Sequence, residues 1–547
     1  MSAAILVRGL AEHRRGMLVT AGSVGAMLFL GLYMYQGIDL SFYDALPEVV
    51  RSLLGVPPHA DASVMAYNEM LASIGALAFT GVAVAMGAGC VAADETAGRV
   101  SLILSAPVSR TRLALSRAAA LVLSLVASGL LLWGIAEVAP LILGIETGDA
   151  HLLALMVHLV ANALFHGALA FAVATATGRR SLGAGVAATV LVGGWLANGL
   201  LPIWKQGAAD WVPWHWFNGS LPLVGGLDAR DVALLLSGAA LFLAVGVLGF
   251  TRRELRTAAV GSSIVDRLRS IPGVGGLLRP TGRGAWLLAI RLAAQKVLVS
   301  YVTLLLALGM GLAMPPMYVG LADALADFGM SFPQSMVDMF GGGNLDTAAG
   351  FLHLETFGMI APICIILVVT TAAASGIAGE ERAGRMSVLL AQPLSRARVY
   401  LTVALTAALY SAVVAGALFL GVWGGVALSG VDVSVVNLAW ACLLLLLLGW
   451  FFGALALLLS SATGRPSVAV WGTTAVAVAS YFGYTLLLAA GRTEWGLWSP
   501  FAPYLYGPAL MQGIEWWQPV WLGAGTLALL LIGLALWRHR DLAPVRG

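Results

Sequence analysis

The chain is 547 residues long, 60% hydrophobic and only 10% charged, with a formal net charge of +3 and a mean hydropathy of +0.90. Soluble domains carry about 25% charged residues, so this composition excludes a water-soluble enzyme and points to a polytopic membrane protein. The small positive charge reflects topology and not nucleic-acid binding.

The predicted elements are helices throughout, because apolar stretches of about 20 residues can cross the hydrocarbon as α-helices. In chain order they lie near 16–36, 70–93, 114–143, 151–177, 182–203 and 230–251. After a polar stretch they resume near 297–317, 353–378, 399–430, 434–463, 468–490 and 518–537. The expected fold is an all-α polytopic membrane protein of twelve transmembrane helices. Residues 1–15 read as an amphipathic interfacial helix, with no cleavable signal peptide, and the first span serves as the insertion signal. Lys and Arg are retained on the cytoplasmic side. With the N-terminus inside, every one of the 30 Lys and Arg residues falls on the inner side except Arg51, Lys205, Arg230 and Arg492. An even number of spans with both termini cytoplasmic satisfies that bias.

Two stretches concentrate the scarce charges. Residues 93–112 read ADETAGRVSLILSAPVSRTR, and residues 379–398 read GEERAGRMSVLLAQPLSRAR. At one offset of 286 they share Glu95 with Glu381, Gly98 with Gly384, Arg99 with Arg385, Pro107 with Pro393, Ser109 with Ser395, Arg110 with Arg396 and Arg112 with Arg398. The same offset pairs Pro47 with Pro333, Glu69 with Glu355, Trp195 with Tyr481, and ATGRRS at 176–181 with ATGRPS at 462–467. The chain therefore reads as two tandem six-helix repeats, 1–251 and 285–547, joined by a cytoplasmic linker at 252–284. Six spans per copy give both the same sense in the bilayer and a pseudo-twofold axis along the membrane normal, with the natural substrate path at the centre.

The duplicated motif falls on the cytoplasmic side, after the second span of each half. Val100, Leu102, Ile103 and Leu104 suit a short interfacial helix ended by Pro107. Glu95 with Arg99 and Glu381 with Arg385 read as i,i+4 pairs of about 0.2–0.5 kcal/mol each. A plain positive anchor accounts for the arginines. It does not account for acids, glycine and Pro-x-Ser-Arg-x-Arg kept in one register, which read as a shaped docking surface.

An energy source is not encoded in the chain. A phosphate-binding loop needs G-x-x-x-x-G-K-[ST], and the only lysines are Lys205, preceded by Trp204, and Lys296, preceded by Gln295. An ATPase that drives this chain is a separate polypeptide, and two docking helices suit two subunits of it. Cys90, Cys364 and Cys442 lack the spacing of a metal or redox site and read as small buried apolar residues. His158 and His166 stand two helical turns apart and read as packing residues before metal ligands.

The E-x-x-G-x-x-x-x-[LM]-x-x-x-P-[VL]-S-R pattern after the second span of a six-span unit resembles type-2 ABC exporter permeases. The fused two-copy form resembles the actinobacterial putative exporters of polyketide antibiotics, the tetronasin-resistance type, over nearly the whole length, including FTRREL at 250–255 and WRHRDL at 537–542. The resemblance implies export of hydrophobic or amphipathic small molecules across the plasma membrane. It implies two copies of a separate ATPase that hold ATP and Mg, with no cofactor on this chain. It makes the motif a coupling helix, formed by Asp94, Glu95, Gly98, Arg99, Pro107, Ser109, Arg110 and Arg112, and again by Glu380, Glu381, Gly384, Arg385, Pro393, Ser395, Arg396 and Arg398. Asp94 stands where the second copy has Glu380, a difference expected to matter little. The substrate path is implied along Phe79, Met86, Trp195 and Asn198 in one half and Phe357, Met359, Tyr481 and Tyr484 in the other. Aromatic and Met side chains suit varied apolar ligands, and Asn198 against Tyr484 makes the lining asymmetric. Tryptophans near 204–216 and 495–521 read as an interfacial belt, some in short outer helices that cap the exit, and Glu69 with Glu355 form a candidate outer gate.

Two other classes remain as alternatives. ERAGRM at 381–386 resembles the D-R-x-G-R-[RK] loop of major facilitator carriers, but that reading leaves Pro-x-Ser-Arg-x-Arg and the outer segments 37–68 and 318–352 without a role. A proton carrier also needs carboxylates within its spans, and Glu137 is the chief candidate. An intramembrane protease of the prenyl-protein type matches Glu380-Glu381-x-x-x-Arg385 and His158-x-x-x-Asn162, yet lacks the F-x-x-x-H element.

Overall fold

A single helix, α1 (Ala3–Tyr35), opens the chain. No proline interrupts residues 3–35 and the glycines there are isolated, so the interfacial stretch and the first span, expected as two pieces, run on as one helix. The computed structural model describes residues 3–35, 62–96, 98–145, 150–205, 207–255, 297–329, 347–391, 394–489 and 492–542. The chain divides into two units, Met1–Val260 and Gly261–Gly547. Beyond residue 255 the linker expected at 252–284 lies outside the described residues, as do Pro47 and Pro333.

In the first unit a π-helical turn, Asn68–Gly75, leads into α2 (Ala76–Gly89). There follow α3 (Arg99–Leu104), α4 (Arg110–Leu143), α5 (Leu152–Thr177), α6 (Arg180–Trp204) and α7 (Ala229–Arg252). In the second unit come α8 (Val297–Gly329), a π-helical turn His353–Ile360, α9 (Ala361–Ala374), α10 (Arg385–Leu390) and α11 (Arg396–Ser429). α12 (Val435–Thr463), α13 (Pro466–Ala489) and α14 (Trp517–His539) complete it. These two π turns carry Glu69 and Glu355, so this rare local geometry recurs at equivalent places, while a third, Ser375–Gly379, is found in the second unit alone among the described residues. α4 and α11 start alike: the Ser109 hydroxyl accepts from the Arg112 amide and the Ser395 hydroxyl from the Arg398 amide, both at 3.2 Å, satisfying an otherwise orphaned donor.

Among the described residues every regular element is helical, and 11 helices are long and apolar enough to cross a membrane. The expected span at 468–490 is the helix α13, which is not among the 11.

In lipid, helices associate through close packing more than through burial from water. A Cβ on Gly87 of α2 would stand 2.0 Å from the Gly167 carbonyl oxygen of α5, and one on Gly311 of α8 would stand 2.8 Å from the Val422 amide of α11. Around these backbone contacts the first unit packs Tyr67, Phe79, Phe171 and Phe250, and the second packs Phe357, Leu444, Leu448 and Phe452.

Candidate functional site

The duplicated motif folds the same way in both units. A short helix, Ala92–Thr96, ends before Gly98, which takes φ +72°, and α3 then starts in a new direction. Gly384 repeats this at φ +70° before α10. Side-chain-bearing residues rarely adopt that backbone. The Ser101 hydroxyl donates to the Gly98 carbonyl at 2.7 Å and the Ser387 hydroxyl to the Gly384 carbonyl at 2.9 Å, tightening both turns. α3 buries Val100 and leaves Leu102 74% exposed; α10 buries Met386 and leaves Val388 67% exposed. The two exposed apolar residues stand at equivalent positions. α3 ends three residues before Pro107, which is exposed, while Pro393 lies outside the described residues.

The turn redirects the charges. Glu95 and Arg99 are not on one continuous helix, so the expected i,i+4 pairs do not form. Arg99 instead bonds Asp94, its Nη2 2.6 Å from Oδ1, and Arg385 bonds Glu380 through two nitrogens at 2.7 and 2.6 Å. The Glu380 hydrogen bonds hold the Arg385 guanidinium above its ordinary pKa. Glu95 and Glu381 are buried and face the closing motif of their own half. Arg253 Nη1 donates to Glu95 Oε1 at 2.7 Å, with a second contact between Arg253 Nη2 and Oε2. Arg540 Nη2 donates to Glu381 Oε2.

A second arginine locks each closing motif from the other side. Arg110 Nη1 donates to the Arg253 carbonyl at 2.6 Å; Arg396 Nη1 donates to the carbonyls of Trp537, at 3.1 Å, and Arg540. Aromatic faces sit under these cations, with Arg253 5.6 Å from the Phe250 ring centre and Arg540 and Arg396 each 5.7 Å from Trp537. The motif is thus braced to the end of α7 in one unit and of α14 in the other, while Arg112 and Arg398 remain exposed. The repeated Arg-acid-Leu at 253–255 and 540–542 is the sequence signal for this brace. Arg117, fully buried between Glu12 and Asp94, has no repeat partner, so comparison of the halves could not flag it.

The implied path residues do not form one exposed lining. Phe79, Met86 and Phe357 are buried in packing, as is Tyr484. Trp195, Asn198 and Tyr481 are half-buried. Asn198 Oδ1 lies 3.2 Å from His215 Nδ1, and the Tyr481 ring meets Phe501 edge-on at 5.3 Å between centres. The Met359 side chain lies outside the described residues. Glu69 and Glu355 are both exposed on their π turns. The intraspan carboxylate Glu137 accepts from the Trp133 indole at 2.9 Å.

The Asp228 amide donates to His158 Nε2 at 3.2 Å, leaving Nδ1 to donate to the Phe217 carbonyl at 3.1 Å. His166 Nδ1 bonds the Asn162 carbonyl at 3.0 Å. These histidines fasten backbone, and among the described residues no group of His, Cys, Asp and Glu could hold a metal.

Residues 279–538 match the family model described as the C-terminal domain of the multidrug efflux system permease Rv1217c. No curated protein matches the chain. The second half is thus similar to a multidrug efflux permease domain, and together with the 11 span-length helices this supports a multi-pass membrane permease of the efflux kind.

Proposed function

We propose that the chain is the permease subunit of an ATP-driven ABC exporter that moves hydrophobic or amphipathic small molecules out of the cell. In this reading it lies in the plasma membrane as twelve spans in two tandem repeats, with both termini cytoplasmic, and is akin to the tetronasin-resistance type. Residues 93–112 and 379–398 are its coupling helices, and two copies of a separate ATPase dock there. ATP and Mg belong to those subunits and no cofactor to this chain.

The observation that carries this reading is the pair Leu102 and Val388, large apolar residues exposed at equivalent positions on two helices too short to span a membrane. An apolar anchor on a short helix is what a protein partner covers. Behind each anchor a buried carboxylate is fixed to the end of α7 or α14, so force applied by the partner reaches a span and not a loose loop. The missing phosphate-binding loop supports a partner that supplies the ATP. Trp195, Asn198 and Tyr481 are the residues proposed to meet the exported compound, and Glu69 and Glu355 to flank its exit.

Native mass spectrometry of the complex captured from its own membrane tests the reading. One copy of this chain with two P-loop ATPase subunits is expected. Two copies of the chain in a stable assembly, or dye efflux that persists after every ATPase is stripped away and ATP is exhausted, overturns it.

A further inference from the structure

The two motifs share their brace but not their second anchor. In the first unit Arg117 of α4 is 1% exposed and holds two carboxylates from different segments. Its Nη1 lies 2.6 Å from Glu12 Oε2 of α1, and its Nη2 2.5 Å from Asp94 Oδ2 of the motif. Asp94 also receives Arg99, so a chain of alternating charge runs from α1 through α4 into the docking segment. His13 of α1 adds a contact to Ser124 Oγ of α4 at 3.1 Å.

Position for position, the second half carries Leu298 for Glu12, Val403 for Arg117 and Glu380 for Asp94. Val403 is equally buried and packs against Gly376. Glu380 bonds Arg385 five residues on, and Arg385 is largely exposed. Among the described residues that pair closes within the segment. With its arginine largely in the open, that pair is partly screened, whereas separating a buried pair leaves a charge uncompensated in low dielectric. Glu380 thus keeps the partner within the segment that Asp94 has in Arg99, while Val403 stands where Arg117 supplies the partner in the bundle.

We propose that Arg117 is a positioning residue that clamps the first docking segment to α1, leaving the second docking segment the looser of the two, so that the two ATPase-facing helices are mechanically unequal. The inference rests on the docking reading for its meaning, but not for its test. Segments with fewer ties to the bundle open more readily, and backbone amide exchange reports that opening.

The experiment follows amide hydrogen exchange by mass spectrometry in the intact chain, in lipid nanodiscs without any partner, comparing peptides over 98–104 and 384–390. In the wild type the first segment is expected to exchange slower by about tenfold or more. The triple variant Glu12→Leu, Asp94→Glu, Arg117→Val installs the second half's residues and leaves no buried charge unpaired. It should bring 98–104 to the rate of 384–390 and leave 384–390 unchanged. Arg117→Lys, which keeps a cation at the centre, should retain part of the protection. Equal exchange of the two segments in the wild type overturns the proposal, and that comparison stands even if the variant fails to fold. Unchanged protection in a folded triple variant overturns it as well. A chain that binds no ATPase would refute the docking reading and leave the exchange result in place.

Discussion

α5 and α12 occupy the same place in the two halves, yet one carries a polar stripe and the other does not. His158, Asn162 and His166 recur every four residues along α5; the equivalents in α12 are Leu444, Leu448 and Phe452. The ties to the short helices at the end away from the duplicated motifs, the proposed outer ties, differ accordingly. The first half fastens the short helix Pro213–Asn218 through His158 and the Phe217 carbonyl. The second fastens Ala502–Leu505 through the Tyr504 hydroxyl, which donates to the Phe357 carbonyl at 2.7 Å. Burial pushes the Tyr504 phenol well above its ordinary pKa, so it keeps the proton it donates. At the arginine-rich end the two halves use the same residues in the same roles, Glu95 with Arg253 and Arg110, Glu381 with Arg540 and Arg396. Packing alone tolerates different chemistry, as the outer ties show. At the other end the brace of Glu and two Arg is kept in both halves although the second anchor, Arg117, is not, and the proposed docking of a partner would account for what is kept.

The sharpest way to break this comparison is to remove one arginine of each brace. Arg253→Met and Arg540→Met each leave a buried carboxylate without its guanidinium, and each should lower stability by about 3 kcal/mol. Melting followed by tryptophan fluorescence checks this; a silent variant in either half would show that the braces are not equivalent. Next in size, His158→Leu and Tyr504→Phe should each cost about 1–2 kcal/mol by leaving a carbonyl unpaired, with dye efflux retained at matched expression. Loss of efflux in either would make the outer ties functional and not merely structural. Gly98→Ala and Gly384→Ala force a side chain into the left-handed region and should cost about 1 kcal/mol each, with similar melting shifts if the two turns are equivalent. Smallest of all, Glu380→Gln weakens a partly exposed pair and should change stability by about 0.5 kcal/mol, less than Asp94→Asn, which uncovers Arg117.

Eleven helices of span length among the described residues were legible because hydropathy is a property of the sequence itself, as is the constant offset between the two motifs. α1 was divided too early, since residues 1–15 are amphipathic enough to read as interfacial although nothing in them stops a helix. The motif was found but its wiring was not. The i,i+4 rule assumes an unbroken helix, and Gly98 and Gly384 break it, sending Glu95 and Glu381 to partners 158 and 159 residues away. Such distant pairing leaves a trace only where it recurs, as in the closing Arg-acid-Leu, and Arg117 does not recur. The π turns were invisible because hydrophobic spacing does not distinguish one extra residue in a turn. Burial also changes what a charge reversal at Glu95 or Glu381 would measure: an added arginine there would face Arg253 or Arg540 and would unfold the brace before testing any partner.

The exposed anchors avoid that confusion. Leu102→Asp combined with Val388→Asp alters two side chains that the protein itself does not bury, so the chain should reach the membrane at wild-type levels and melt at the wild-type temperature. The decisive measurement is recovery of the ATPase with the purified chain, read alongside ATP-dependent dye efflux. The account predicts that the double variant loses both, with each single variant losing part. Wild-type ATPase recovery and wild-type efflux in the double variant would contradict it.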